Sequence, residues 1–170
     1  MINGIHHVAV STGDLDRMVA FYTEHLGFEV VMDTEFGGRV EIDQILGLEG
    51  AVARQKMVKA GNLCIELFEF SSPTPEPGDP NRPVNNHGYT HFCLDVTDID
   101  AEYERLSAAG MTFHCPPAPS KRLGSGKLRA TYGRDPDGNV IELQEILDSS
   151  VPFALPLAAG GPASERSGES

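Results

Sequence analysis

Two histidines and two glutamates lie inside apolar, strand-like stretches of the sequence, where groups that bind metals are unusual. His7 and His91 lie near the starts of two such stretches, and Glu66 and Glu142 lie in the similar segments CIELFEF and VIELQEI. Because successive side chains of a strand point to opposite faces, each of the four has small or polar neighbours on its own face and large aliphatic residues on the other. Each strand thus directs its large apolar side chains towards a core and one metal-binding group away from it.

These four residue types are good ligands for a divalent cation. A buried carboxylate is costly unless it is paired or bound to a metal, and two converging carboxylates would also repel each other. One cation held by two imidazoles and two carboxylates removes both penalties. The pattern therefore predicts one divalent ion per site, bound by His7, Glu66, His91 and Glu142, with Zn²⁺, Ni²⁺, Co²⁺, Mn²⁺ and Fe²⁺ all compatible. The pattern also leaves open that the four are solvated residues on a strand face.

The elements that carry these residues occur twice in the sequence. His91 lies 84 residues after His7, the same offset relates Asp14 to Asp98, and each aspartate is a typical N-cap before a helical stripe. Strands are predicted at residues 5–10, 29–34, 51–58 and 63–70, and again at 90–96, 112–114, 128–134 and 140–146. The chain thus reads as an α+β fold of two βαβββ modules, at residues 4–70 and 88–147.

The length of 170 residues and the composition limit the alternatives. Residues 1–148 form one predicted domain, and residues 149–170 a tail expected to be disordered. A net charge of −12 disfavours nucleic-acid binding, no apolar run is long enough to span a membrane, and no signal peptide is visible. The three cysteines form no CxxC pair, which favours reduced thiols and a cytoplasmic location.

Two loops could act as lids over a site. The Pro-rich residues 71–88 connect the modules, and residues 116–127 begin a stretch with four basic side chains, Lys121, Arg122, Lys127 and Arg129. These cations could close over an anionic substrate, although a solvated loop fits the same pattern.

Four segments of the chain, HHVAV, LGF, GYTHFCLDV and RDPDGNVIEL, resemble the vicinal oxygen chelate superfamily. This group includes glyoxalase I, methylmalonyl-CoA epimerase, extradiol dioxygenases and fosfomycin-resistance enzymes. The resemblance implies that the paired modules form an open, cup-shaped mixed sheet around a metal. It places the ligands on the first and last strands of each module, at the positions of His7, Glu66, His91 and Glu142.

The resemblance implies a metal-dependent lyase or isomerase that transfers a proton next to a metal-bound carbonyl of a small substrate. Glu66 or Glu142 would be the catalytic base, and a homodimer is expected by resemblance alone. A ring-cleaving extradiol dioxygenase with Fe²⁺ is an alternative, although such enzymes use two histidines and one glutamate. A non-catalytic small-molecule binding or resistance protein is another, and the intact ligand positions argue against it.

Two positions depart from glyoxalase I. Ser11 and Phe70 stand where that family usually has an arginine and an asparagine, which puts glutathione as cosubstrate in doubt. Phe68 and Phe70 suggest instead a pocket wall for a more apolar or CoA-like substrate, with ordinary packing as the alternative.

Overall fold

A computed structural model describes residues 1–120 and 124–155 of the chain. Three helices are present, α1 at Leu15–Ala20 with a π-helical continuation at Phe21–His25, α2 at Val40–Leu46, and α3 at Ile99–Ala108. The eight strands are β1 at His7–Ser11, β2 at Glu29–Phe36, β3 at Val52–Ala60, β4 at Leu63–Ser72, β5 at His91–Asp95, β6 at Thr112–Phe113, β7 at Leu128–Arg134 and β8 at Val140–Ile146. None of the helices in these residues is long and apolar enough to cross a membrane.

The predicted repeat is confirmed by the topology. Strands β1 to β4 form one four-stranded sheet in the order β1-β4-β3-β2, and β5 to β8 form a second in the corresponding order β5-β8-β7-β6. In both sheets the first strand runs parallel to the last, and the other pairs are antiparallel. The histidine strand and the glutamate strand of each module are therefore neighbours.

One hydrophobic core joins the two modules. Ile65 and Leu67 from the first sheet and Ile141 and Leu143 from the second are at most 1% exposed and belong to the same cluster. The helices supply the remainder of its centre, with Leu15, Met18, Phe21, Tyr22, Ile99 and Leu106. Because this core draws in the aliphatic face of both sheets, the opposite faces, with the histidines and glutamates, are turned away from it.

The helix boundaries follow the signals in the sequence. The Asp14 carboxylate accepts a hydrogen bond from the Arg17 amide at 3.0 Å, and that of Asp98 accepts one from the Ala101 amide at 3.2 Å. Both aspartates are thus N-caps, as predicted. Gly110 has a φ of +95° just after α3, a backbone conformation that favours glycine over residues with a Cβ atom.

A buried polar contact also ties the modules together. The Tyr22 hydroxyl donates to the Asp135 carboxylate at 3.1 Å, and Asn139 donates to the same carboxylate from both its amide groups. Burial raises the pKa of Asp135 above its usual range, although these donors oppose the shift. The turn between β7 and β8, which the DPDGN segment predicts, is thereby fixed against α1.

The connection between the modules has neither helix nor strand from residue 73 to residue 90, in agreement with the predicted loop. It is nevertheless well held. The Arg134 guanidinium donates to the carbonyls of Pro80 at 3.1 Å and of Arg82 at 3.0 Å. Arg82 in turn donates to the Tyr89 carbonyl at 2.9 Å.

Helix α2 was not predicted from the sequence. Its side chains include no buried residue, so its apolar positions never form the continuous stripe that indicates a packed helix. Its position is set at its carboxyl end, where Gly47 adopts a φ of +67°. The Asp43 carboxylate also accepts hydrogen bonds from the Gly50 and Ala51 amides, both at 2.8 Å.

Candidate metal and catalytic site

The alternation of the strands divides each sheet into two chemically different faces, as predicted. On β4, Ile65 and Leu67 are buried in the core, and Glu66 between them is directed to the other face. On β8, Ile141 and Leu143 are buried in the same way on either side of Glu142. We call the outer faces that carry the glutamates the ligand faces of sheet 1 and sheet 2.

On the ligand face of sheet 1, His7 and Glu66 are in contact. Their strands are parallel neighbours, and the register pairs Ala9 with Glu66, two residues after His7. The His7 Nε2 atom lies 3.3 Å from Glu66 Oε2, with the His7 side chain 39% exposed and that of Glu66 13%. The histidine side of this pair is thus open to an incoming group.

The ligand face of sheet 2 repeats this geometry. The register pairs Cys93 with Glu142, two residues after His91, and His91 Nε2 lies 3.0 Å from Glu142 Oε2. The Thr90 hydroxyl and His91 Nδ1 lie 2.9 Å apart, which leaves Nε2 directed at the glutamate. Each module therefore brings one imidazole nitrogen and one carboxylate oxygen together.

Both pairs have the spacing of two ligands on one cation. Two donors bound at about 2.1 Å with an angle between 90° and 110° lie roughly 3.0–3.4 Å apart. The observed separations of 3.3 Å and 3.0 Å fall within that range. Each pair could therefore supply half of the predicted four-ligand site without rearrangement of its strands.

The two pairs do not meet within one copy of the chain. Among residues 1–120 and 124–155, no group of three or more His, Cys, Asp or Glu side chains is arranged to hold a metal ion. The shared core explains this, because it draws the aliphatic faces of the two sheets together and leaves the ligand faces on its outside. The metal set of His7, Glu66, His91 and Glu142 remains a prediction.

Sequence reasoning did not identify the polar neighbours of Glu66. The Gln55 side-chain amide donates to Glu66 Oε1 at 2.5 Å, and the Thr34 hydroxyl donates to Gln55 Oε1 at 3.3 Å. Only the register of β2, β3 and β4 brings these three residues together. The DTEF and ARQK segments carry no motif that would have marked them.

Glu142 has different neighbours, which were also missed. Tyr132 is its register partner on β7, and the Tyr132 ring centroid lies 4.7 Å from that of His91. Loss of hydration, together with the adjacent Glu142 carboxylate, raises the pKa of the Cys93 thiol to about 12. Cys93 is therefore a neutral thiol beside the glutamate near neutral pH.

An aromatic surface lies on the ligand face of sheet 1. Phe68 and Phe70 follow Glu66 at alternate positions of β4, and their rings stack with centroids 5.5 Å apart. Phe36 from the edge strand β2 meets both rings edge-on at 6.3 Å. The predicted pocket wall thus gains a third ring and continues along the strand from the His7–Glu66 pair.

The basic loop is only partly described. Lys121 and Arg122 lie outside the described residues. Lys127 is 3.3 Å from an Asp148 oxygen, and Arg129 binds the Asp100 carboxylate at distances of 2.5 and 2.8 Å. These two cations are therefore neutralised by carboxylates of the same chain.

Comparison with protein families supports the resemblance found in the sequence. Residues 4–143 match the family model of the Glyoxalase/Bleomycin resistance protein/Dioxygenase superfamily. The chain is 31% identical to the protein YwkD of Bacillus subtilis over 147 residues, which cover 85% of this chain and 98% of YwkD.

Two relatives with named activities match less of their own length. A 2-epi-5-epi-valiolone epimerase of Actinomyces sp. is 32% identical over 112 residues, which cover 61% of this chain and 57% of the epimerase. The lactoylglutathione lyase GLX1 of Arabidopsis thaliana is 26% identical over 147 residues, which cover 86% of this chain and 46% of the lyase.

Solved structures match the fold along nearly the whole chain. A glyoxalase family protein from Bacillus cereus superimposes with a TM-score of 0.76 at 24% identity, covering 87% of this chain and 97% of that one. A FosX variant from Listeria monocytogenes, solved with Mn(II) and a dihydroxypropylphosphonic acid, has a TM-score of 0.56 at 22% identity and covers 87% and 94%. With its repeated modules and its family match over residues 4–143, the chain belongs to the Glyoxalase/Bleomycin resistance protein/Dioxygenase superfamily, the vicinal oxygen chelate group.

Proposed function

We propose that this protein is a cytoplasmic, metal-dependent lyase or isomerase that moves a proton next to the carbonyl group of a small substrate. The observation that carries the proposal is the presence of two His–Glu pairs, with nitrogen-to-oxygen distances of 3.3 and 3.0 Å, on equivalent strands of the two modules. The names of the relatives agree with this class, since one is an epimerase and another a lactoylglutathione lyase.

The ligand set that we propose is His7, Glu66, His91 and Glu142, completed by a second copy of the chain. One copy would supply His7 and Glu66, and its partner would supply His91 and Glu142. Both histidine strands, β1 and β5, are edge strands, so each is free on one side to lie against another chain. A twofold dimer built this way contains two equivalent sites.

The exposed apolar residues of the first module are consistent with such a dimer. Ile5 beside β1 and Ile45 on α2 are each 79% exposed, and Val40 on α2 is 65% exposed. Large apolar side chains at this exposure are costly in an isolated chain when they form a patch. Contact with a second copy would remove them from water.

A bound divalent cation would polarise the carbonyl oxygen of the substrate and stabilise the negative charge that develops there during proton abstraction. The protein's own carboxylate does the proton transfer. A glutamate oxygen accepts the proton from the carbon next to the carbonyl, and the C–H electron pair moves into the new carbon–carbon double bond. The carboxylic acid then returns the proton to the neighbouring carbon, or to the opposite face of the same carbon, so the glutamate is regenerated.

The substrate that the surroundings favour is a 2-oxo compound or a thioester with an apolar portion. The Phe36, Phe68 and Phe70 rings offer an aromatic surface next to the His7–Glu66 pair, where the planar part of such a substrate can stack. Ser11 and Phe70 lack the charged and amide groups that would bind the carboxylates of glutathione.

The proposal is tested on protein purified anaerobically without added metal. Metal analysis is expected to find Zn, Ni, Co or Mn near one ion per chain. NMR is expected to detect exchange of the carbon-bound proton for deuterium in α-hydroxycarbonyl compounds or acyl-CoA thioesters. Stoichiometric iron with cleavage of catechols would instead make the protein a dioxygenase. Failure to hold or take up any metal would contradict both enzymes and leave a small-molecule binding protein.

A further inference from the structure

The two glutamates of the proposed site are held differently. Glu66 is engaged at both oxygens, since Gln55 donates to Oε1 at 2.5 Å and His7 Nε2 lies 3.3 Å from Oε2. The Thr34 hydroxyl donates to the Gln55 carbonyl oxygen at 3.3 Å. That contact fixes which end of the amide faces the glutamate, so that the NH₂ group of Gln55 is the one directed at Glu66.

The second module has no amide at the equivalent position. Gln55 is the register partner of Phe68, two residues after Glu66, and the residue that pairs two positions after Glu142 is Ala130. A methyl group cannot donate a hydrogen bond. Glu142 meets His91 Nε2 at 3.0 Å, and its other neighbour that can donate across the strands is the Cys93 thiol, a weak donor.

We propose that Gln55 is a positioning residue that holds Glu66 in its ligand orientation, so that Glu142 is the carboxylate that moves the proton. The inference rests on the proposed function and assigns separate roles to two glutamates that occupy equivalent places in the repeat. A carboxylate held at both oxygens must break a charge-assisted hydrogen bond before it can turn towards a substrate. Outer partners of this kind orient ligands, and their loss typically lowers metal affinity or activity about 10- to 100-fold.

The structure suggests a reciprocal set of variants. Gln55→Met removes the amide with little change in volume, and Ala130→Gln introduces an amide at the equivalent place beside Glu142. Ala130→Met is the matched control, because it adds the same bulk without a donor. Metal affinity is measured by calorimetric titration of the metal-free proteins with Zn²⁺ or Mn²⁺, and proton exchange is followed by NMR on the substrate identified above.

Gln55→Met is expected to weaken metal binding about tenfold, because the Glu66 ligand is no longer held. Ala130→Gln is expected to bind metal at least as tightly as the unaltered protein but to exchange protons at least about tenfold more slowly, while Ala130→Met retains the exchange rate. Circular dichroism and thermal unfolding show whether each variant is folded. For any variant that is not, Gln55→Leu or Ala130→Asn is substituted.

Two results would overturn the inference. One is metal affinity in Gln55→Met equal to that of the unaltered protein. The other is an exchange rate in Ala130→Gln no lower than in Ala130→Met. If the unaltered protein binds no metal in the same titration, the proposed function itself fails, and the role of Gln55 fails with it.

Discussion

Phe70 lies on the ligand face of β4 four residues after Glu66, and its ring stacks on that of Phe68 at 5.5 Å. A residue at this place touches the substrate's side group and not the reacting carbon, so it should affect selectivity. Phe70→Ala is expected to raise the KM for an aryl-substituted 2-oxo substrate about tenfold, which is the loss of one aromatic contact of about 1.4 kcal/mol. Steady-state kinetics on aryl and methyl substrates check this.

Phe153→Ala is the control, since Phe153 is 59% exposed and follows the last strand. Metal affinity should be the same in both variants. An equal rise in KM for the aryl and methyl substrates of Phe70→Ala would contradict a stacking role and would indicate general damage to the site.

At the scale of the elements, the β7–β8 turn and the inter-module connection are pressed together. A Cβ atom on Gly138 would lie 2.3 Å from the Pro80 carbonyl oxygen, and Gly138 has a φ of +87°. Gly138→Ala is therefore expected to destabilise the fold by about 1–3 kcal/mol, through overpacking and an unfavourable backbone conformation. Urea unfolding measures the loss.

Gly78→Ala is the matched control, because a Cβ there would meet no atom within 4 Å and the backbone has no positive φ. It should leave the free energy of unfolding within about 0.5 kcal/mol of the unaltered value. Equal stability of both variants would indicate that the connection is not packed on the turn.

The period-two pattern of the apolar residues was sufficient to predict the strands, their two faces and the pairing of each histidine with a glutamate. The alternation around Glu66 and Glu142 is read directly from CIELFEF and VIELQEI, since neither needs a distant partner to define its face. Gln55 could not be found in this way. Its contact with Glu66 depends on the register of β3 with β4, which local patterns do not determine.

At the scale of the whole molecule, the repeat predicts two modules but not how they face each other. The same aliphatic residues could bury themselves in several arrangements, and only the packing of α1 and α3 between the sheets decides the outcome. That packing leaves β1 and β5 as edges and keeps the two His–Glu pairs apart. The central claim is therefore a claim about two copies of the chain, each giving half of a metal site.

Mixing two defective variants tests this claim most directly. One carries His7→Ala and Glu66→Ala, the other carries His91→Ala and Glu142→Ala, and each alone should bind no metal at the site and catalyse no proton exchange. In mixed dimers one of the two sites receives all four ligands and the other receives none. Random pairing in equal amounts is then expected to restore about a quarter of the sites, because half of the dimers are mixed and each has one complete site of two.

The two variants carry different affinity tags, so that mixed dimers are isolated before metal and exchange are measured. Isolated mixed dimers are expected to bind one metal ion per dimer and to recover about half of the unaltered activity. Mixed dimers that form but bind no metal and exchange no protons would contradict the account, since every site would then draw its ligands from a single chain.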